Sequence, residues 1–218
     1  MIMNTLKALA ASILMATSAC SDVPLLDENW SPTFIAGPVE YDEGSRTLTL
    51  SGITTQAQVN STYRILSENE VLTVELSGPG GNYYAGLSLG RLLAEEGVTV
   101  IIREGQRCTS ACAFAALGGE KVIVDGELLF HVPFLTAVPT NVSILEITQR
   151  FGSAYLDMPM YLADVGVTIS FANVLMKGTS HCKFYVISDG AEVDKLKDIE
   201  TPNQVVSVQY TVANNCGL

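Results

Sequence analysis

Short runs of strand-forming residues recur along this chain, and stretches with helical spacing stand between most of them. Arg46–Leu50 alternates threonine with leucine, while Leu72–Leu76 and Val98–Ile102 are rich in β-branched and apolar residues. Lys121–Val124 and Glu127–Phe130 follow as a close pair. Thr54 or Thr55 stands where it can cap a helix running to about Asn69, and Tyr84, Leu87, Leu89, Leu92 and Leu93 mark an apolar helix face that stops at Gly97. Ser110–Leu117 is almost wholly apolar, hence a buried helix, and Gly118-Gly119 ends it. Further on, Asn141 to about Val165 and Ile169–Met176 read as helices despite Pro159, Phe184–Ile187 as a strand, Ala191–Leu196 as a short helix and Val205–Val212 as a last strand. Alternation of this kind predicts an α/β domain with a mainly parallel sheet and helical crossovers. No internal repeat is visible in the sequence.

The 218 residues, 48% of them apolar and 16% charged, suffice for one ordinary folded domain. The formal net charge of −11 argues against nucleic acid or an anionic membrane surface as partner, since both recruit clustered Lys and Arg. The chain has no G-x-x-x-x-G-K-[ST] loop, so ATP hydrolysis is not expected. Residues 1–19 read as an export signal: Lys7, a short apolar run Ala8–Met15, then small residues up to Cys20. The run is too short to span a bilayer. Cleavage before Cys20 with lipidation of its thiol gives a lipoprotein; cleavage near Ser18 or Ala19 gives a soluble periplasmic protein. The first fate is favoured, because a cysteine directly after a small-residue run otherwise has no explanation. Residues 20–42, with prolines, acids and Trp30 but no periodicity, read as a tether or arm ahead of a domain over 43–218.

In an oxidising compartment the remaining cysteines, Cys108, Cys112, Cys182 and Cys216, are disulfide candidates with three pairings open. Cys108 and Cys112 bracket Ser110, and a bridge there would clamp the turn between them; Cys182 with Cys216 would tie down the C-terminal tail. These cysteines with His181 lack paired C-x-x-C knuckles, which argues against zinc; no metal or cofactor is expected.

The chemistry gathers at three places. Ser77-Gly-Pro-Gly-Gly81 follows one strand and bares backbone N–H groups, Pro79 having none of its own. Ser110 opens the buried helix, and His131 closes the strand Glu127–Phe130. Taken alone, Ser110 reads as a helix N-cap and His131 as a hydrogen-bonded core histidine. Together with the glycine turn they read as nucleophile, base and oxyanion donors of an acyl-transfer site. Tyr83 and Tyr84 stand where one lines a groove and the other joins the core.

Leu72–Pro133 resembles the proteolytic subunit of Clp protease and its crotonase-like relatives, most of all exported Clp-like proteins with a C-x-S-A-C segment. Gly78-Pro79-Gly80-Gly81 resembles the family's S-P-G-G oxyanion turn, Ser110-Ala-Cys-Ala-Phe114 its nucleophile segment, and His131-Val-Pro133 its H-Q-P histidine, with Val132 replacing glutamine. The resemblance implies a Clp-peptidase/crotonase-like fold of repeated β-β-α units. It implies Ser110 as nucleophile, His131 as general base, and the N–H groups of Gly81 and Ala111 as oxyanion donors. It also implies a peptide or other acyl substrate, and a homo-oligomer. The departure lies in the third triad member. The family's aspartate falls near the end of the helix before the late strand, where this chain reads Val174-Leu-Met-Lys-Gly-Thr-Ser-His181, without a carboxylate. Asp164 and Asp189 flank that region, Asp157 is more distant, and Ser180 offers a hydroxyl instead. The expected function is an exported, ATP-independent serine peptidase; the missing aspartate keeps open a degenerate fold that binds peptides or acts as an envelope scaffold. A thioester-acting crotonase-like enzyme would need coenzyme A, which export makes improbable.

Overall fold

Four strands read from the sequence become the centre of one sheet, and their threonine–aliphatic alternation explains its faces. In the computed structural model, which describes residues 37–134, 144–180, 184–188 and 191–192, these are β2 (Thr47–Leu50), β4 (Thr73–Leu76), β6 (Thr99–Ile102) and β8 (Lys121–Val124). They pair side by side in parallel register, Leu48 with Val74, Val74 with Val100, and Val100 with Val122. Leu48, Leu50, Val74, Leu76, Val100, Ile102, Val122 and Val124 are all buried, and alternate positions such as Thr47, Thr73 and Thr99 are only partly so. β1 (Val39–Asp42) closes one edge antiparallel to β2, and β11 (Ala191–Glu192) closes the other antiparallel to β8. The described residues all belong to one compact unit of mixed α/β architecture.

A second layer lies in the partners of these strands. β3 (Ile53–Thr54) pairs in parallel with β5 (Gly80–Gly81). β7 (Arg107–Thr109) pairs in parallel with β9 (Glu127–Phe130), which β10 (Tyr185–Ser188) joins antiparallel. An isolated parallel bridge, Gly78 to Cys108, links the glycine turn to β7. The element order therefore repeats strand–strand–helix: β2, β3 and α1 (Gln56–Glu68); β4, β5 and α2 (Tyr83–Glu96); β6, β7 and α3 (Ala111–Ala116). The pair β8, β9 is followed by α4 (Ile144–Asp164) and α5 (Ile169–Gly178).

The helix boundaries have local causes. Thr55 caps α1 by accepting the Gln58 N–H at 3.2 Å, and Asn82 caps α2 by accepting the Ala85 N–H at 3.0 Å. Gly97 ends α2 in the left-handed conformation at φ 63°. All six residues of α3 are buried, and their small side chains let it lie against α2. At Gly86 of α2 an added Cβ would stand 2.4 Å from the Ala111 carbonyl oxygen, so only glycine allows that approach.

Two expectations change. The last four residues of the expected arm, Val39–Asp42, are β1, because their backbone pairs with β2. Ala191 and Glu192 begin no helix but pair with β8, so an open sheet edge overrides their helical tendency; 193–196 and the strand expected over Val205–Val212 lie outside the described residues. The expected export signal over residues 1–19, Cys20, His181, Cys182, Asp189 and Cys216 lie outside them too. Among the described residues no helix is long and apolar enough to cross a membrane.

Candidate active site

β7 delivers Ser110, and the backbone there is bent in a way that a capping serine does not need. Ser110 has φ 56° and ψ −121°, and its side chain makes no capping hydrogen bond to α3. The N-cap reading therefore fails on geometry. A β-carbon at positive φ costs on the order of 1–3 kcal/mol and persists only where its surroundings over-determine it. Those surroundings are on hand. The Ser110 N–H donates to Leu129 O at 2.8 Å, Ser110 O accepts from the Phe114 N–H at 3.0 Å, and the Thr109 N–H donates to Gly78 O at 2.9 Å. A disulfide joins Cys108 on β7 to Cys112 on α3, with Cα atoms 5.2 Å apart. The bridge expected around Ser110 is present, and it spans the strand–helix turn. Its sulfurs belong to buried residues, so it clamps the turn from inside the core. A strained strand–serine–helix turn of this kind carries the nucleophile in many hydrolases.

The glycine turn is pressed against that serine. A Cβ on Gly80, whose φ is 92°, would stand 2.7 Å from Ser110 Cβ, 2.6 Å from Thr109 O and 3.0 Å from Ala111 N. The Asn82 N–H donates to Thr54 O at 2.9 Å, so ladder alternation turns the Gly81 N–H away from β3. Ala111 is the first residue of α3, where N–H groups have no acceptor within the helix. The two expected oxyanion donors thus flank Ser110: Gly81 follows the glycine packed against it, and Ala111 follows Ser110 itself.

His131 arrives from the neighbouring strand. Thr109 pairs with Leu129, which sets Ser110 and His131 just past the ends of adjacent parallel strands. The histidine is only 5% exposed and packed between aromatic rings, Phe134 at 5.0 Å and Phe184 at 5.2 Å between centroids. Its Nδ1 lies 2.8 Å from Val132 O. A carbonyl only accepts, so this bond places the proton of the neutral ring on Nδ1 and the basic lone pair on Nε2. That is the tautomer a general base requires. Ser110 and His131 are juxtaposed at the ends of neighbouring strands.

The candidates for a third member part company. Asp164 at the end of α4 pairs with Arg91 Nε of α2 at 2.9 Å, where it ties two helices together on the surface. Ser180 lies just beyond α5, and the hydroxyl of its neighbour Thr179 accepts the Val132 N–H at 3.1 Å. Thr179 was not legible beforehand, because its contact with Val132 joins residues 47 positions apart. Of the two tyrosines, Tyr83 joins the packing, edge-on to Phe114 with its hydroxyl donating to Ala154 O at 3.2 Å, and Tyr84 stays 46% exposed. Burial, and then the nearby Asp157, hold the Tyr83 phenol well above its usual range.

Comparison with protein-family models and with curated proteins returns no match, so the chemistry of this site stands on its own geometry.

Proposed function

We propose that this chain is an exported serine hydrolase of the Clp-peptidase/crotonase-like fold that cleaves peptide or other acyl bonds without ATP. Ser110 Oγ attacks the acyl carbon, and His131 Nε2 takes its proton and returns it to the leaving group. The Gly81 and Ala111 N–H groups stabilise the oxyanion. The observation that carries this reading is the left-handed backbone of Ser110 beside the end of the strand that carries His131. A structural serine does not need φ 56°. A nucleophile does, because that backbone lifts its Oγ clear of the helix it opens.

The repeated strand–strand–helix order and the glycine turn against the nucleophile support the fold assignment. Export to the periplasm, with or without a lipid on Cys20, and assembly into a homo-oligomer belong to the same proposal. Activity is tested on a p-nitrophenyl ester and on a mixture of quenched fluorescent peptides. A burst of nitrophenol followed by turnover, lost in Ser110→Ala, is the expected result. Equal release by wild type and Ser110→Ala would end the serine mechanism.

One observation favours a second reading, a degenerate fold that binds peptides as an envelope scaffold: His131 is held by a carbonyl, and Asp164 is given to Arg91. A carbonyl stabilises an imidazolium less than a carboxylate does. On this reading peptides bind at the glycine turn and are released intact.

A further inference from the structure

Between His131 and the core runs a chain of hydrogen bonds without a single charge. His131 Nδ1–H donates to Val132 O at 2.8 Å. The N–H of the same residue, Val132, donates to Thr179 Oγ1 at 3.1 Å. The Thr179 hydroxyl proton donates to Leu175 O at 2.8 Å, which turns its lone pairs toward Val132. Thr179 is the C-cap of α5, and its own N–H also donates to Leu175 O at 3.0 Å. Leu175 is fully buried, and Val132 and Thr179 are nearly so. β-Branching leaves the threonine few rotamers, so the relay is stiff at both ends.

We propose that Thr179 is the positioning residue of the site: by holding the N–H on one side of Val132 it restrains that residue, whose carbonyl on the other side holds His131 in the Nδ1-protonated tautomer. The aspartate that the resemblance expects near the end of this helix would touch the ring directly. Thr179 instead acts one peptide away, and the group it helps to aim at Nδ1 is a neutral dipole. The inference rests on the reading of His131 as general base, but its physical core, the tautomer, is measurable without catalysis.

Two variants of the full chain separate the outcomes. Thr179→Val keeps the shape and removes the hydroxyl; Thr179→Ser keeps the hydroxyl. Their rates of reaction with a fluorophosphonate probe are compared with wild type, after circular dichroism and thermal melting establish that each is folded. Thr179→Val is expected to react about tenfold more slowly or worse, with Thr179→Ser close to wild type. Equal rates in wild type and Thr179→Val, or a Thr179→Ser as slow as Thr179→Val, overturn the proposal.

Nitrogen-15 NMR of the imidazoles reads the tautomer directly. The chain has two histidines, so His181→Ala assigns the signal. Wild type is expected to show His131 protonated at Nδ1, with a mixture of tautomers in Thr179→Val. A wild-type ring protonated at Nε2, or an unchanged tautomer in the variant, overturns the inference even where no variant reacts or Thr179→Val fails to fold. A wild type that shows the relay and its loss but never reacts with the probe removes the catalytic reading and leaves the positioning intact.

Discussion

At the scale of single residues, the site is a place where the chain works against its own local preferences. Ser110 adopts a backbone that glycine would accept more readily, so Ser110→Gly should stabilise the fold by about 1 kcal/mol while removing the nucleophile. Urea denaturation measures this, and a loss of stability would mean that the turn is not strained. Gly80 faces the reverse constraint. Gly80→Ala combines φ 92° with contacts of 2.6 and 2.7 Å to Thr109 O and Ser110 Cβ, and should cost about 2–3 kcal/mol in the same assay. Ser110, His131 and the glycine turn were legible because their order at three strand ends resembles a known set of motifs, and because the chain has only two histidines. Thr179 was not. A threonine after a helix is common, and only the folded chain shows that its hydroxyl meets the peptide after His131.

At the scale of elements, sequence periodicity found nearly every strand whose alternate residues are buried. β2, β4, β6 and β8 each alternate, and their ends were placed within a residue or so. The two-residue strands β3 and β5 carry no period, and β7 is a polar triplet, so none announces itself. β5 and β7 nevertheless build the site, together with β9, whose alternation does announce it. The strand–strand–helix repetition likewise leaves no repeat in the sequence, because it is fixed by pairing and not by residue identity. The disulfide belongs at this scale, since it joins β7 to α3. The short loop it closes gives about 2 kcal/mol from restriction of the unfolded chain. The double variant Cys108→Ala/Cys112→Ala should lose at least that much, and should also label with a serine-directed probe more slowly as Ser110 relaxes. An unchanged labelling rate in a folded variant would show that the turn holds without its clamp.

At the scale of the whole molecule, burial sets the response to alkali. The phenols of Tyr83, Tyr161 and Tyr185 are all pushed up, first by burial, with Tyr185 at about 12. A phenol whose value is raised on folding contributes stability that is complete below its unfolded value near 10 and is lost as pH climbs through the folded value. Stability should therefore hold to about pH 10 and fall across the window from 10 to 12. Phenolate absorbance followed together with circular dichroism checks this. The phenols of Tyr83, Tyr161 and Tyr185 should ionise only as the fold is lost. Titration of all eight tyrosines near pH 10 with the spectrum intact would contradict it. Tyr161 is the most telling of the three. Its hydroxyl donates to Phe114 O in α3 while Arg91 sits over its ring, so its ionisation would loosen the helix that Ser110 opens.

The central claim is that Ser110 is an activated nucleophile with His131 as its base. The most direct measurement is reaction of the full, disulfide-intact chain with a fluorophosphonate, followed by mass mapping of the modified peptide. The account predicts one adduct per chain, on Ser110, absent from Ser110→Ala and nearly absent from His131→Ala. A folded wild type that forms no adduct, or one whose adduct forms as fast without His131, would contradict it.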